Sequence, residues 1–257
     1  MAQTLETGTG TGRRLAYHKT EGQEPGIVFL GGFMSDMNGT KAIWLENWAR
    51  AQGRAFLRFD YSGHGESSGD FADGCIGDWA EDAFAAISQL TQGSQILVGS
   101  SMGGWIALLM ARRMPARVAG LVGIAAAPDF TEDSMWPGLN DSQRAEIMET
   151  GQTQLANDYD ETPYTLTRRL FEDGRNQLML RAPLSLPFPV RLLQGTHDEA
   201  VATSVPLRLM DHAECPDLRL TLVKGADHRF STPECLDLIA GAIAEVTPRA
   251  IQGQRPA

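Results

Sequence analysis

Apolar and polar positions along the chain follow two alternating rhythms. Short apolar runs, rich in branched or aromatic side chains and bounded by Gly, Pro or Asp, read as buried strands. They cover residues 27–30, 55–60, 95–99, 118–125, 190–194 and 218–223. Between them, apolar residues recur every three to four positions, the spacing of a helix with one buried face. Residues 41–52 place Ile43, Leu45, Trp48 and Ala51 on such a face, and residues 79–90 place Phe84, Ile87 and Leu90. Residues 103–114 are apolar almost throughout, which predicts a helix packed deep against the sheet, and residues 235–246 close the series. Strands alternating with helices imply a mostly parallel central sheet with right-handed crossovers, an α/β fold.

The rhythm breaks between residues 128 and 187. Helical pieces and turn residues replace the strand runs there, with Asp141 a candidate cap for a helix ending at Gly151 and a second helix over 166–173. Because sheet strands flank it on both sides, this stretch reads as a helical lid, inserted into a core domain formed by 1–127 and 188–257. It holds eleven acidic residues against five arginines, more than half of the chain's net charge of −10. That charge repels polyanions and argues against a nucleic-acid partner. No apolar run reaches the roughly 18 residues needed to span a bilayer. The N-terminal MAQTLETGTGTGRR lacks the apolar core of a secretory signal and is not an Arg/Ser-rich transit stretch. Cys75, Cys215 and Cys235 are odd in number and without metal spacing. Together these features predict a soluble cytoplasmic protein with reduced thiols.

Chemistry enters where the third strand gives way to the apolar helix, at Gly99-Ser100-Ser101-Met102-Gly103. The pattern Gly-x-Ser-x-Gly in a strand–turn–helix context forces the middle serine into a strained conformation with its Oγ exposed, while the glycines let strand and helix approach. It selects Ser101 as nucleophile, with the helix N-terminus aimed at the reaction centre. A serine nucleophile needs a base and an acid that orients it, expected in the order Ser, Asp or Glu, His. His228, in the loop after the last strand, is the favoured base; His197 competes, and His212 sits in a helical, polar stretch. Asp198, in the loop after the 190–194 strand, is the favoured acid, with Glu199 the near alternative; Asp227 reads as a cap or a solvated residue. Acyl transfer also needs donors for an oxyanion. The backbone N–H groups of Met102 and Phe33 are the candidates, the latter in the glycine-rich Gly31-Gly32-Phe33 loop.

These residues together resemble the α/β-hydrolase superfamily, over nearly the whole chain. The resemblance rests on Gly31-Gly32-Phe33, Asp60-Tyr61-Ser62-Gly63-His64-Gly65-Glu66-Ser67, the serine turn, residues 195–198 and Asp227-His228. In this family the oxyanion loop often begins His-Gly; here it begins Gly31-Gly32, a difference of loop packing rather than chemistry. Met37-Asn38-Gly39-Thr40-Lys41-Ala42, Arg58-Phe59-Asp60-Tyr61-Ser62-Gly63 and the stretch from Gln95 to Trp105 are similar to one branch. That branch includes the mammalian mitochondrial acyl-protein thioesterase, also described as an acyl-glucuronide esterase, and the chain looks like a bacterial-type relative. The resemblance implies an α/β-hydrolase fold, a Ser101–Asp198–His228 triad and hydrolysis of carboxylic esters or acyl thioesters without metal or cofactor.

Met34, Met135, Trp136 and Val201 are candidate substrate-binding residues. Leu155, Tyr159, Tyr164, Phe171, Leu178 and Met179 are further apolar residues of the lid, more than half of this set being expected simply to bury the lid against the core. The acidic lid disfavours acyl-CoA, so a small neutral ester or an acyl-protein thioester is the expected substrate. Two other readings stay open: a carbon–carbon bond hydrolase with the same triad, and a non-catalytic binder that keeps the pocket.

Overall fold

In the computed structural model, which describes residues 2–7, 12–155 and 163–247, all six apolar runs lie in one eight-stranded sheet. The chain opens with β1 (Gln3–Thr7), β2 (Arg13–Thr20) and β3 (Gln23–Leu30), followed by α1 (Thr40–Ala51) and β4 (Arg54–Phe59). Next come α2 (Ile76–Leu90), β5 (Gln95–Ser100), α3 (Met102–Arg113) and β6 (Val118–Ile124). The insertion carries a π-helical turn (Thr131–Met135), α4 (Trp136–Gly138), α5 (Asp141–Thr150), β7 (Gln152–Leu155), β8 (Tyr164–Thr167), α6 (Arg168–Asn176) and the short β9 (Leu184–Ser185). The chain then returns through β10 (Val190–Gly195), α7 (Ser204–His212), β11 (Ala213–Glu214), β12 (Leu218–Val223) and α8 (Pro233–Val246).

The sheet order is β1-β2-β4-β3-β5-β6-β10-β12. From β4 to β12 every pairing is parallel; β2 runs antiparallel to both its neighbours. Alternation along each strand sorts side chains onto two faces, as a pleated strand requires. Val28, Leu30, Leu57 and Leu97 face one buried cluster with Trp79 and Ala83 of α2 and Trp105 and Leu108 of α3. Ile27, Phe29, Phe56 and Val98 face the other with Leu45 and Ala49 of α1 and Ile239 and Ile243 of α8. Helices on both faces explain why the central strands read as continuous apolar runs.

Three sequence expectations need correction. The face expected on residues 41–52 is rotated: Ala42, Leu45, Glu46 and Ala49 are buried, Ala42, Leu45 and Ala49 packing in the cluster on that side of the sheet, whereas Ile43 and Ala51 are exposed. The insertion is not wholly helical: β7 and β8 form an antiparallel pair, and Leu166, expected in a helix, pairs with Thr153 in that hairpin. Their Gln- and Thr-rich sequences present too little apolar surface to reveal them. The helix expected to end at Gly151 does so, with Gly151 at φ 92°, but its cap is Asn140, whose side chain accepts from the Gln143 N–H while Gln143 reaches back to the Asn140 N–H. Such reciprocal capping satisfies two donors that the helix leaves free. Tyr159 lies outside the described residues.

The insertion leaves the sheet at the C-terminal end of β6 and re-enters at the start of its parallel neighbour β10, so it begins above the C-terminal side and must cross back to the opposite end of the sheet. Buried Asp129 ties the segment after β6 to the segment after α6, its carboxylate accepting from the N–H groups of Met179 at 2.7 Å and Leu180 at 2.9 Å.

Candidate active site

The C-terminal ends of parallel strands collect the loops of an α/β sheet, and β3, β5, β10 and β12 each end at one candidate residue or loop. Between β5 and α3, Ser101 has φ 54° and ψ −118°, a conformation rarely tolerated by a residue with a side chain. Strain of this kind costs about 1–3 kcal/mol and persists only where its surroundings enforce it. They do so here: a Cβ at Gly99 would collide with the backbone of Gly103, and one at Gly103 with the Leu30 carbonyl. The two outer glycines of the motif are therefore steric necessities of the crossing.

His228 and Asp198 meet at this turn. His228 Nε2 is 3.2 Å from Ser101 Oγ, and its Nδ1 is 2.9 Å from Asp198 Oδ2 and 3.0 Å from Oδ1. The Asp198 carboxylate is completely enclosed. Burial pushes its pKa up, but hydrogen bonds from His228, the Val201 N–H and the Gln194 amide, with attraction to His228, outweigh burial and hold it below the ordinary carboxylate value. The donors lie at 2.8 Å from Val201 and 2.8 Å from Gln194 Nε2, and the Ala200 N–H adds a third at 3.0 Å. His197 and Glu199, the sequence alternatives, are both exposed. Asp227 accepts from the Phe230 N–H at 3.1 Å and so shapes the His228 loop from within.

The Gly31-Gly32-Phe33 loop lies against the serine, a Cβ at Gly32 falling 3.4 Å from Ser101 Cβ. Met102 opens α3, where a helical N–H has no acceptor within its own helix. The Phe33 ring is held among aromatic rings: Phe71 at 4.9 Å, Trp79 at 5.9 Å, Phe130 at 5.7 Å and Tyr164 at 5.9 Å between centroids. Phe130 and Tyr164 lie between β6 and β10, so that stretch sets apolar rings against the Gly31-Gly32-Phe33 loop.

The four candidate substrate-binding residues separate. Met34, 42% exposed and at φ 54°, projects beside Phe33. Met135 and Trp136 are half-buried against the core cluster, Trp136 meeting the Phe171 ring at 4.9 Å and the Arg175 guanidinium at 5.0 Å. Val201 is buried and reaches the site through its backbone, accepting from Gln194 at 3.0 Å as well as donating to Asp198. Among the further apolar residues of 128–187, Phe171 and Met179 are buried in the core cluster. Sequence reasoning passed over Gln194, whose signal was a polar side chain ending an apolar strand. Among the described residues no group of three or more His, Cys, Asp or Glu side chains is placed to hold a metal, and no helix is long and apolar enough to cross a membrane.

This architecture has known counterparts. The mitochondrial palmitoyl-protein thioesterase ABHD10 of Rattus norvegicus is 36% identical over 233 residues, covering 90% of this chain and 78% of the relative. The structure of alpha/beta hydrolase domain-containing protein 10 from mouse superposes with a TM-score of 0.87 at 34% identity, covering 95% of this chain and 97% of that one. A crystal structure of a candidate hydrolase from Agrobacterium vitis S4 superposes with a TM-score of 0.92 at 39% identity, covering 96% of this chain and 99% of that one. The model of the alpha/beta hydrolase family matches residues 27–242, from the first buried strand to the last helix, and the chain belongs to that family.

Proposed function

We propose that the protein is a serine hydrolase that cleaves carboxylic esters or acyl thioesters through Ser101, His228 and Asp198. The observation that carries this reading is the unbroken hydrogen-bonded line from Ser101 Oγ through His228 to the enclosed Asp198 carboxylate. His228 takes the Ser101 proton as Oγ attacks the acyl carbonyl, and Asp198 fixes the imidazole tautomer and stabilises its cationic form. The N–H groups of Met102 and Phe33 receive the oxyanion, helped by the positive end of α3. The alcohol or thiol leaves with the proton from His228, and water activated by the same base releases the acid. The named activity of the ABHD10 relative supports an acyl thioester or ester as substrate class. In this reading residues 128–187 act as a lid, and Met34 with the Phe33–Phe130–Tyr164 rings bounds the acyl group. The three free cysteines support a reducing compartment such as the cytoplasm.

Initial rates on acyl chains from acetyl to palmitoyl, offered as aryl esters and as thioesters, test the proposal beside Ser101→Ala. Wild type should turn over part of the series, and Ser101→Ala should lose at least about a thousandfold. A mutant as active as wild type, or a wild type inert on every ester and thioester, sinks the reading. Diketones would then test carbon–carbon hydrolysis.

A further inference from the structure

Lys41 stands in the first turn of α1, and the acyl transfer above gives it no task. Its placement is unfavourable by itself. The first helical turn is the positive end of the helix dipole and prefers acidic side chains, yet α1 has none there, and its Gly39 cap offers no side-chain hydrogen bond. The ammonium is also withdrawn from solvent: burial, opposed in part by Asp227, brings its pKa down to about 8. A long, strongly hydrated side chain held in such a place needs a compensating contact.

That contact is with the base loop. Lys41 Nζ donates to the carbonyl oxygen of Arg229, the residue directly after His228. The loop is already fixed on its other side, where the Gly225 N–H donates to Thr196 Oγ1 at 2.9 Å and the His197 N–H to the Ala226 carbonyl at 3.0 Å. Beyond His228 the chain dives into the core at Phe230, fully buried with φ 48°. Lys41 adds a bond to this second half from a separate element. That element is firmly seated: Arg58 donates to Met37 O at 2.8 Å and pairs with Glu46 of α1 at 2.7 Å, while Asp60 accepts from the Met37 N–H at 2.6 Å. Since α1 follows the loop that carries Phe33, one frame spans both the oxyanion-side loop and the base loop.

We infer that Lys41 is a positioning residue whose ammonium clamps the Arg229 carbonyl and so holds His228 in line with Ser101 Oγ. The inference rests on the proposed triad, because only there does the placement of His228 govern turnover. Displacing a reacting group by an ångström costs on the order of a hundredfold in rate.

Lys41→Met and Lys41→Arg, compared with wild type and Ser101→Ala on one aryl ester, test it. Lys41→Met should lower kcat about tenfold or more with KM within about twofold, and Lys41→Arg, which keeps a cationic donor, should recover most of the loss. Rates are referred to the folded fraction measured by circular dichroism, and Lys41→Gln replaces Lys41→Met if the latter does not fold. A readout without turnover is the downfield NMR signal of the His228 Nδ1 proton, whose exchange with water should quicken in Lys41→Met and not in Lys41→Arg. An unchanged kcat with an unchanged proton signal overturns the clamp, as does a loss carried by KM. If wild type is inactive but its Nδ1 signal is sharpened by Lys41, the hydrolase reading falls and the clamp stands.

Discussion

At the scale of single residues, the site is held by atoms that do no chemistry. Gln194 is completely buried, and its amide nitrogen serves Asp198 Oδ2 at 2.8 Å and the Val201 carbonyl at 3.0 Å. One side chain thus fixes both the acid and the segment whose N–H groups hold its other oxygen. Replacing it by methionine keeps the volume and removes a hydrogen bond to a charged group, worth about 1.5–3 kcal/mol. On the proposed mechanism Gln194→Met should lower kcat roughly tenfold to a hundredfold while KM stays near the wild-type value. Steady-state kinetics at pH 7.5 decide this, and a kcat within a factor of two would remove Gln194 from the positioning of Asp198. Gly103 makes a second case, steric rather than electrostatic. Gly103→Ala drives a methyl into the Leu30 carbonyl, so strand and helix must separate. A loss of about 1–3 kcal/mol is expected in urea unfolding, and an unchanged midpoint would mean that the crossing is looser than it looks.

At the scale of elements, the insertion depends on Asp129. This residue is fully buried at φ 59°, accepts two backbone N–H groups and faces Arg181 at 3.3 Å, tying the segment after β6 to the segment after α6. Asp129→Ala strands two buried donors and should cost about 2–5 kcal/mol. Asp129→Asn keeps one acceptor oxygen and should fall between. Urea midpoints of the three proteins test the ranking, and an alanine variant within 0.5 kcal/mol of wild type, on the order of a surface substitution, would contradict it. The same region shows what kind of element a sequence hides. The strands carrying Val28, Leu97, Leu121 and Leu192 were legible because both their faces are covered, which demands apolar residues throughout. β7 and β8 cover only Thr153 and Leu166 fully, and the edge strand β1 buries only Thr7, so their sequences carry no such demand. The Ser101, Asp198 and His228 positions were legible because each follows a readable strand within a few residues. Lys41 was not, since its partner sits 188 residues away and only the folded chain brings Arg229 to α1, while Gln194, 4 residues before Asp198, gave only a polar strand end whose amide direction the sequence does not fix.

At the scale of the whole molecule, pH stability separates groups that burial pushes in opposite senses. His64 is 4% exposed, wedged between the Phe71 and Trp79 rings at 5.1 Å each, and burial lowers its pKa from 6.5 to about 4. His18 moves in the same direction, again chiefly through burial. Buried Asp60, Asp82 and Asp129 move the other way, desolvation raising each carboxyl above its ordinary value. The signs follow from proton uptake. Below pH 6.5 the unfolded chain protonates His64 while the folded protein does not, so stability is complete above that pH and drains away as pH falls toward 4. The raised carboxylates take up protons earlier in the folded state than in the unfolded one, so they oppose this loss rather than cause it. Asp198, whose pKa is lowered, withdraws its contribution only below its unfolded value near 4. The window between about pH 6.5 and 4 therefore belongs to the histidines. Wild type should lose about 2 kcal/mol of unfolding free energy from His64 between pH 7.5 and 5. His64→Phe keeps the ring packing, and Trp79 Nε1 still donates to the Ser62 carbonyl at 3.1 Å that His64 Nδ1 also meets. Urea unfolding of both proteins at pH 7.5 and 5 should show the phenylalanine variant losing markedly less over that interval. Equal losses would place the acid sensitivity elsewhere and mean that the His64 pocket admits the imidazolium.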